Sequence, residues 1–205
     1  MKISIAVLAS GRGSNFQALI DGVATGKVNA EIKVLITDNP AAQAIERAKK
    51  AGTPVEIVQS KDFTDRESMD GRILELLRRY KVELVVLAGY MKIIQSKKLL
   101  DAYKHKIINI HPSLLPAFAG TTHAQKDAFE YGVKISGLTI HFVTADLDHG
   151  PIIYQEAVDI SDCTDEDEVM QKILQREHAA YKKVVDSFAK GRYIIDGRKT
   201  RYEKY

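Results

Sequence analysis

Residues 3–20, "ISIAVLASGRGSNFQALI", set the class of the fold. The short apolar run Ile3–Leu8 leads straight into a glycine loop and reads as a first core strand. Gly11 and Gly13 permit backbone angles closed to other residues and let a ligand approach closely. From Asn15 to Ala24 the pattern becomes helical. Ser14 and Asn15 are placed to cap that helix, whose free N–H groups attract phosphate. Strand, glycine loop and helix in that order open a βαβ unit.

The alternation continues outward from there. Further strands are expected at Ile32–Thr37, Val55–Val58, Leu84–Ala88, Lys106–Ile110, Ile135–Val143 and Ile152–Val158. Helical patterns fill Ala41–Ala51, Asp65–Tyr80 and Ser96–Tyr103. Such interleaving predicts an α/β fold, an open and mostly parallel twisted sheet with helices on both faces. The short connection Thr144–Pro151 predicts a hairpin or another antiparallel addition near the C-terminal part. A long helix is expected from Asp165 to Ala189, with Thr164 as its N-cap and Gly191 as its stop. The tail "GRKTRYEKY" is polar and is expected to be loose or pinned only locally. With no repeat, linker or low-complexity segment, 205 residues read as one domain.

Composition narrows the function. Apolar residues make up 45% of the chain and charged residues 28%, an ordinary globular balance. The net charge is +3, from 30 basic and 27 acidic residues, and no basic cluster is interleaved with aromatics. That argues for small anionic ligands and against nucleic acid. Cys163 is the only cysteine, so an internal disulfide and zinc-type cysteine spacing are both ruled out. No apolar stretch reaches the ~20 residues that span a bilayer. A cytoplasmic protein with no membrane contact is expected.

The glycine loop is not a dinucleotide fingerprint. G-x-G-S-N departs from G-x-G-x-x-G and lacks the lysine of a Walker loop. It points to a phosphorylated small molecule. Asp38 does lie near the end of the next strand, so a nicotinamide-dependent oxidoreductase stays open on that criterion.

"IINIHPSLLP", residues 107–116, carries the candidate chemistry. In an open parallel sheet, ligands sit beyond the carboxyl ends of the strands. Asn109 and His111 are two apart and share a strand face. An amide N–H and an imidazole N–H together suit an oxygen that turns negative during attack on a carbonyl carbon. A carboxylate beside His111 would favour the charged ring and raise its pKa. "FVTADLDHGPI" offers Asp146 and Asp148, and Asp148 stands just before the turn at Gly150–Pro151. Spacing alone does not show that these groups converge. Rival nucleophiles are weak: Cys163 sits in acidic "SDCTDEDE", which disfavours its thiolate, and no G-x-S-x-G elbow occurs. The histidines show no metal-binding spacing, and no metal is expected.

"NIHPSLLP" followed by "LDHGPI" resembles the folate-dependent formyltransferases. "ASGRGSNFQALI" and "REHAAYKKVV" make the likeness strongest to the members that act in purine biosynthesis. The resemblance covers nearly the whole chain and implies a Rossmann-like formyltransferase domain over residues 1–205. Within it, 1–100 would be a phosphate-binding half, 101–190 a catalytic and folate-side half, and 191–205 a tail. The implied reaction moves the formyl group of 10-formyltetrahydrofolate to the amine of glycinamide ribonucleotide. Asn109, His111 and Asp148 match the catalytic trio. Gly13, Ser14 and Asn15 would hold the ribonucleotide phosphate, and Glu177 the same substrate. Arg66, Met91, Lys92, Ile93 and Ile94 would line the folate side, along with Asn109.

The chain departs from the family pattern in places. Lys92 stands where arginine is frequent and loses its planar fork. "AFAGTTHA" lacks the usual proline before Gly120, and His149 replaces a smaller residue beside Asp148. A formyltetrahydrofolate hydrolase, with the same trio, is the nearest alternative, and a non-catalytic nucleotide-binding module a further one. A monomer or a homodimer is expected.

Overall fold

In the computed structural model, which describes residues 2–205, nine strands and six α-helices follow in order. The strands are β1 (Ile3–Leu8), β2 (Ala30–Thr37), β3 (Val55–Ile57), β4 (Leu84–Leu87), β5 (Ile107–His111), β6 (Ile135–Phe142), β7 (Ile152–Asp159), β8 (Gly191–Asp196) and β9 (Lys199–Lys204). The helices are α1 (Ser14–Ala24), α2 (Gln43–Lys50), α3 (Arg66–Arg79), α4 (Lys97–Ala102), α5 (Ala124–Tyr131) and α6 (Glu166–Phe188). Seven strands form one mostly parallel sheet in the order β3-β2-β1-β4-β5-β6-β7, and β8 and β9 pair by themselves. By contact, the chain divides into two compact units, one ending at Ile108 and one running Asn109–Tyr205.

In the first unit β1 lies between β2 and β4 and runs parallel to both. Ile5 through Ala9 are 0% exposed. Consecutive strand residues point to opposite faces, so a run with no exposed member means both faces are covered. The strand order turns back on itself at β1 and β4. Ligands of such sheets sit beyond the strand ends at that turning point. There, the Ser10 N–H donates to the Gly89 carbonyl at 3.0 Å, and the Met91 N–H donates to the Ser10 hydroxyl oxygen at 2.9 Å. The glycine loop and the "GYMKII" segment are thus laced together through the backbone N–H and the hydroxyl of Ser10.

In the second unit β6 and β7 pair antiparallel, as the short connection predicts. Their register slips between Ile140 and His141, a local irregularity of the kind that re-aims a side chain. Helix α6 packs on both strands and buries Val169, Ile173, Ala180, Tyr181 and Val184, one helical stripe. Its N-cap is Asp165 rather than Thr164. The Asp165 carboxylate accepts from the Glu168 N–H at 2.8 Å, and Glu168 accepts in turn from the Thr164 N–H at 2.7 Å. This resembles a capping box, except that Glu168 reaches back to the N–H of the residue before the cap and not to that of the cap itself.

Two elements escape the sequence reading. Helix α5 buries only Ala124 and Ala128, so its apolar stripe is too thin to read as periodic. The tail is not loose: β8 and β9 form an antiparallel hairpin with Ile195 opposite Thr200 and Asp196 opposite Lys199. Its two-residue loop is Gly197–Arg198, with glycine at the first position, where the favoured Gly-X hairpin turn needs a positive φ, and Gly197 takes φ +58 there. Tyr193 fixes the hairpin to the unit. Its ring meets Phe142 edge-on with centroids 6.1 Å apart and lies 5.0 Å from Phe188. Other element ends differ from the sequence reading by one or two residues, the usual fraying of boundaries.

Candidate active site

The catalytic trio expected from the sequence comes together within the second unit. Asn109 and His111 stand at the end of β5, and Asp148 on the loop after β6. His111 Nδ1 lies 3.5 Å from Asp148 Oδ2. The other ring nitrogen, Nε2, donates to the Phe118 carbonyl at 3.0 Å. Asp148 also accepts from the Gly120 N–H at 2.9 Å. Its backbone is left-handed, with φ +56, as is that of Phe118 at the same value. Non-glycine residues take that conformation at a cost, and it recurs at sites that other contacts hold in place.

A fourth group, His141, was not anticipated. Its Nε2 is 3.6 Å from Asp148 Oδ1 and 3.4 Å from the Asn109 amide nitrogen. Its Nδ1–H donates to the Phe142 carbonyl at 2.9 Å. The signal was present in "ISGLTIHF": Thr139 and His141 alternate with Leu138, Ile140 and Phe142, so two polar residues share one face of a buried strand. Asp148 therefore sits between two imidazoles.

The electrostatics correct one expectation. Burial is the largest influence on His111 and pushes its pKa down, and nearby His141 adds to that. The Asp148 carboxylate and the Phe118 carbonyl push upward, but less, and the net shift is below the ordinary imidazole value. Asp148 thus opposes the neutralisation of His111 without reversing it. For Asp148 burial acts upward. The bonds from His141 and the Gly120 N–H, with the charge of His111, outweigh it and hold the carboxyl below its usual range. A cavity of ≈ 520 Å³ opens beside these groups, lined by Ala119, Gly120, Ala145, Asp146, Leu147 and His149. Among the described residues, no cluster of three or more His, Cys, Asp or Glu is placed to hold a metal.

The first unit contains the glycine loop and the "GYMKII" segment. Gly13, not Ser14 or Asn15, is the N-cap of α1, with φ +67 and no side-chain cap bond. A Cβ there would come within 2.8 Å of the Ala44 Cβ, so both conformation and space demand glycine. Helix α2 steadies the loop from behind. The Ala44 N–H donates to the Gly11 carbonyl at 3.2 Å and Arg47 Nε to the Arg12 carbonyl at 2.8 Å. No acid lies in the first turn of α1, which keeps its positive end open to an anion.

Met91 and Ile93 are 57% and 43% exposed, whereas Ile94 is buried. Lys92 Nζ lies 3.8 Å from Asp38. Arg66 turns to its own protein: it donates to the Ile93 carbonyl and lies 4.0 Å from buried Asp70. Asp70 Oδ2 accepts from the N–H groups of Gln95 at 2.7 Å and Ser96 at 2.9 Å. The Tyr90 hydroxyl, Asp38 Oδ1 and Asp70 Oδ1 are buried with no hydrogen-bond partner among the described residues. Glu177 belongs to the second unit, where it is buried on α6.

A family model described as formyl transferase matches residues 3–185. The chain is 42% identical over 180 residues to a phosphoribosylglycinamide formyltransferase of Bacillus subtilis (strain 168), covering 88% of this chain and 91% of that one. A solved glycinamide ribonucleotide transformylase 1 from Symbiobacterium toebii superposes with TM-score 0.94 at 42% identity, covering 98% of this chain and 94% of that one. A solved formyltetrahydrofolate deformylase from Burkholderia mallei reaches TM-score 0.87 at 25% identity, covering all of this chain and 71% of that one.

Proposed function

The chain belongs to the formyl transferase family, and from that membership we propose that it moves the formyl group of 10-formyltetrahydrofolate to the amine of glycinamide ribonucleotide. It is a phosphoribosylglycinamide formyltransferase of purine biosynthesis, acting on small molecules. The observation that carries the reading is the convergence of Asn109, His111 and Asp148, 3.5 Å between the last two, in a chain so similar to those enzymes.

The amine attacks the formyl carbon and a carbon–nitrogen bond forms. The carbonyl oxygen takes the electron pair, and the Asn109 amide donates to it together with the His111 Nε2–H, which exchanges the Phe118 carbonyl for the oxyanion. Oxyanion charge at Nε2 favours the doubly protonated ring, against the burial that depresses it. The bond to the folate nitrogen then breaks. The proton lost by the amine passes to that nitrogen, with Asp148 as its relay. No step calls on a metal ion or a covalent enzyme intermediate.

Gly13, Ser14 and Asn15 hold the ribonucleotide phosphate at the start of α1, and Glu177 contacts the same substrate. Met91, Lys92, Ile93 and Ile94 line the folate site, with Arg66 behind them and Asn109 facing the formyl group. The partnerless Tyr90 hydroxyl and Asp38 oxygen support a polar ligand against that segment. One catalytic domain working in the cytoplasm, as monomer or homodimer, completes the reading.

A hydrolase is the second reading, favoured by the likeness to the Burkholderia deformylase. Incubation with 10-formyltetrahydrofolate, with and without glycinamide ribonucleotide, separates them by absorbance. Tetrahydrofolate formed only with the ribonucleotide is the expected result. Product formed equally without it would mean that water is the acceptor.

A further inference from the structure

The loop that carries Asp148 is held on three sides. On one side the two imidazoles and the Gly120 N–H engage the carboxylate itself. On the second, the Phe142 N–H donates to the Pro151 carbonyl at 2.9 Å, and Gly150 lies so tight against the Phe142 carbonyl that a Cβ would overlap it. The third side is the C-terminal hairpin. Arg198, in its turn, donates from Nη1 to the His149 carbonyl at 2.9 Å. Thr200, on β9, donates from its hydroxyl to the Ile152 carbonyl at 2.6 Å. These two bonds bracket Gly150–Pro151, immediately after the aspartate.

We propose that the β8–β9 hairpin is a positioning element for the aspartate loop, with Arg198 and Thr200 as positioning residues for Asp148. Three facts support this. Asp148 has a left-handed backbone, a conformation that persists only where neighbouring contacts over-determine it. Arg198 binds the main chain of the very next residue, so it acts on the backbone that aims the carboxylate. The hairpin is itself anchored: the Tyr193 ring packs tilted against Phe188, and the Tyr202 hydroxyl donates to the Ser187 carbonyl at 3.2 Å. The hairpin lies beyond residues 3–185, the span that the family model matches. Thr200 carries more of the positioning than Arg198, because its bond is partly buried and the Arg198 bond is exposed.

The inference rests on Asp148 serving the reaction, and the experiment tests the two separately. Full-length Arg198→Ala, Thr200→Val, the double variant, Arg198→Lys and Asp148→Asn are compared in steady-state kinetics. Arg201→Ala, on the same hairpin but paired with Glu203, is the control. Small misplacements of a catalytic group cost up to ~100-fold in rate, so the double variant should lose roughly tenfold in kcat. The ribonucleotide KM should stay within about twofold, since ground-state binding is untouched. Arg198→Lys should recover part of the loss. Thr200→Val removes a bond without changing charge, so a shift in its kcat–pH profile reports a moved carboxylate facing His111 and His141. A merely structural hairpin would lower Tm and leave that profile in place. Wild-type kcat in the double variant, or a loss matched by Arg201→Ala, would overturn the proposal. Turnover retained by Asp148→Asn would instead remove the catalytic assignment beneath it.

Discussion

His111 Nδ1 faces Asp148 Oδ2 at 3.5 Å, and each side chain is only 6% exposed. The other ring nitrogen already donates to the Phe118 carbonyl. Both nitrogens therefore look at acceptors, and only the doubly protonated ring satisfies both. Burial works against that form and prevails. The ring is held neutral beside groups that welcome the charge, so on the proposed mechanism developing negative charge on a substrate oxygen tips it.

This arrangement makes the two donors separable by mutation. Asn109→Ala and His111→Ala should each lower turnover by about 100- to 1000-fold, the usual cost of one lost oxyanion donor. Circular dichroism should show the fold retained. Near-normal turnover in either variant would remove that side chain from the oxyanion site.

The same groups set an acid limit on stability. His111 has a lowered pKa in the folded state. Between that value and the ordinary ~6.5, the unfolded chain binds more protons than the folded one. The contribution is thus fully present above ~6.5 and is lost as pH falls below it. Asp148 acts in the same direction, at lower pH, because its carboxyl is also depressed. Melting curves from about pH 7.5 to about pH 5.5 should show Tm falling in the wild type and falling less in His111→Gln. Parallel slopes would mean that His111 does not titrate differently on folding.

Much of this was legible in the chain. Ile3–Leu8, Gly13 and α1 follow from a short apolar run meeting a glycine loop. Asn109 and His111 share a face because a strand has a period of two. His141 was missed although its alternation with Leu138 and Phe142 was in plain view, because one histidine in a strand carries no signal until Asp148 is placed beside it. The direction of the His111 shift was misjudged for a related reason. Sequence shows the charged partner but not the depth of burial, and depth decides the balance. The C-terminal hairpin was missed because its residues are polar and its anchor, Tyr193 against Phe142 and Phe188, joins positions far apart in the chain.

Gly13 offers a direct test of the phosphate loop. Alanine there faces a left-handed backbone, which costs about 1–3 kcal/mol outside glycine. It also brings a methyl to 2.8 Å from the Ala44 Cβ. Gly13→Ala should lower Tm and displace the first turn of α1. The ribonucleotide KM should then rise well beyond the folate KM. An equal rise in both would detach the loop from phosphate binding.

Arg66 and Asp70 act on the segment expected to face the folate. Asp70 has no exposed surface, yet its carboxylate meets the two N–H groups that open the turn into α4. Arg66 holds the Ile93 carbonyl from the same helix, α3. Residues 93–96 are thereby held by their main chain, while the Met91 and Ile93 side chains stay exposed. Asp70→Ala strands those N–H groups, one of them buried, at about 1–3 kcal/mol for a buried orphan. Asp70→Asn keeps an acceptor oxygen and should lose less. Arg66→Ala should leave Tm nearly unchanged and raise the folate KM, because the Ile93 carbonyl is released while the Asp70 bonds remain. A folate KM unmoved by Arg66→Ala, measured alongside an unchanged ribonucleotide KM, would show that the Met91–Ile94 segment keeps its shape without the arginine.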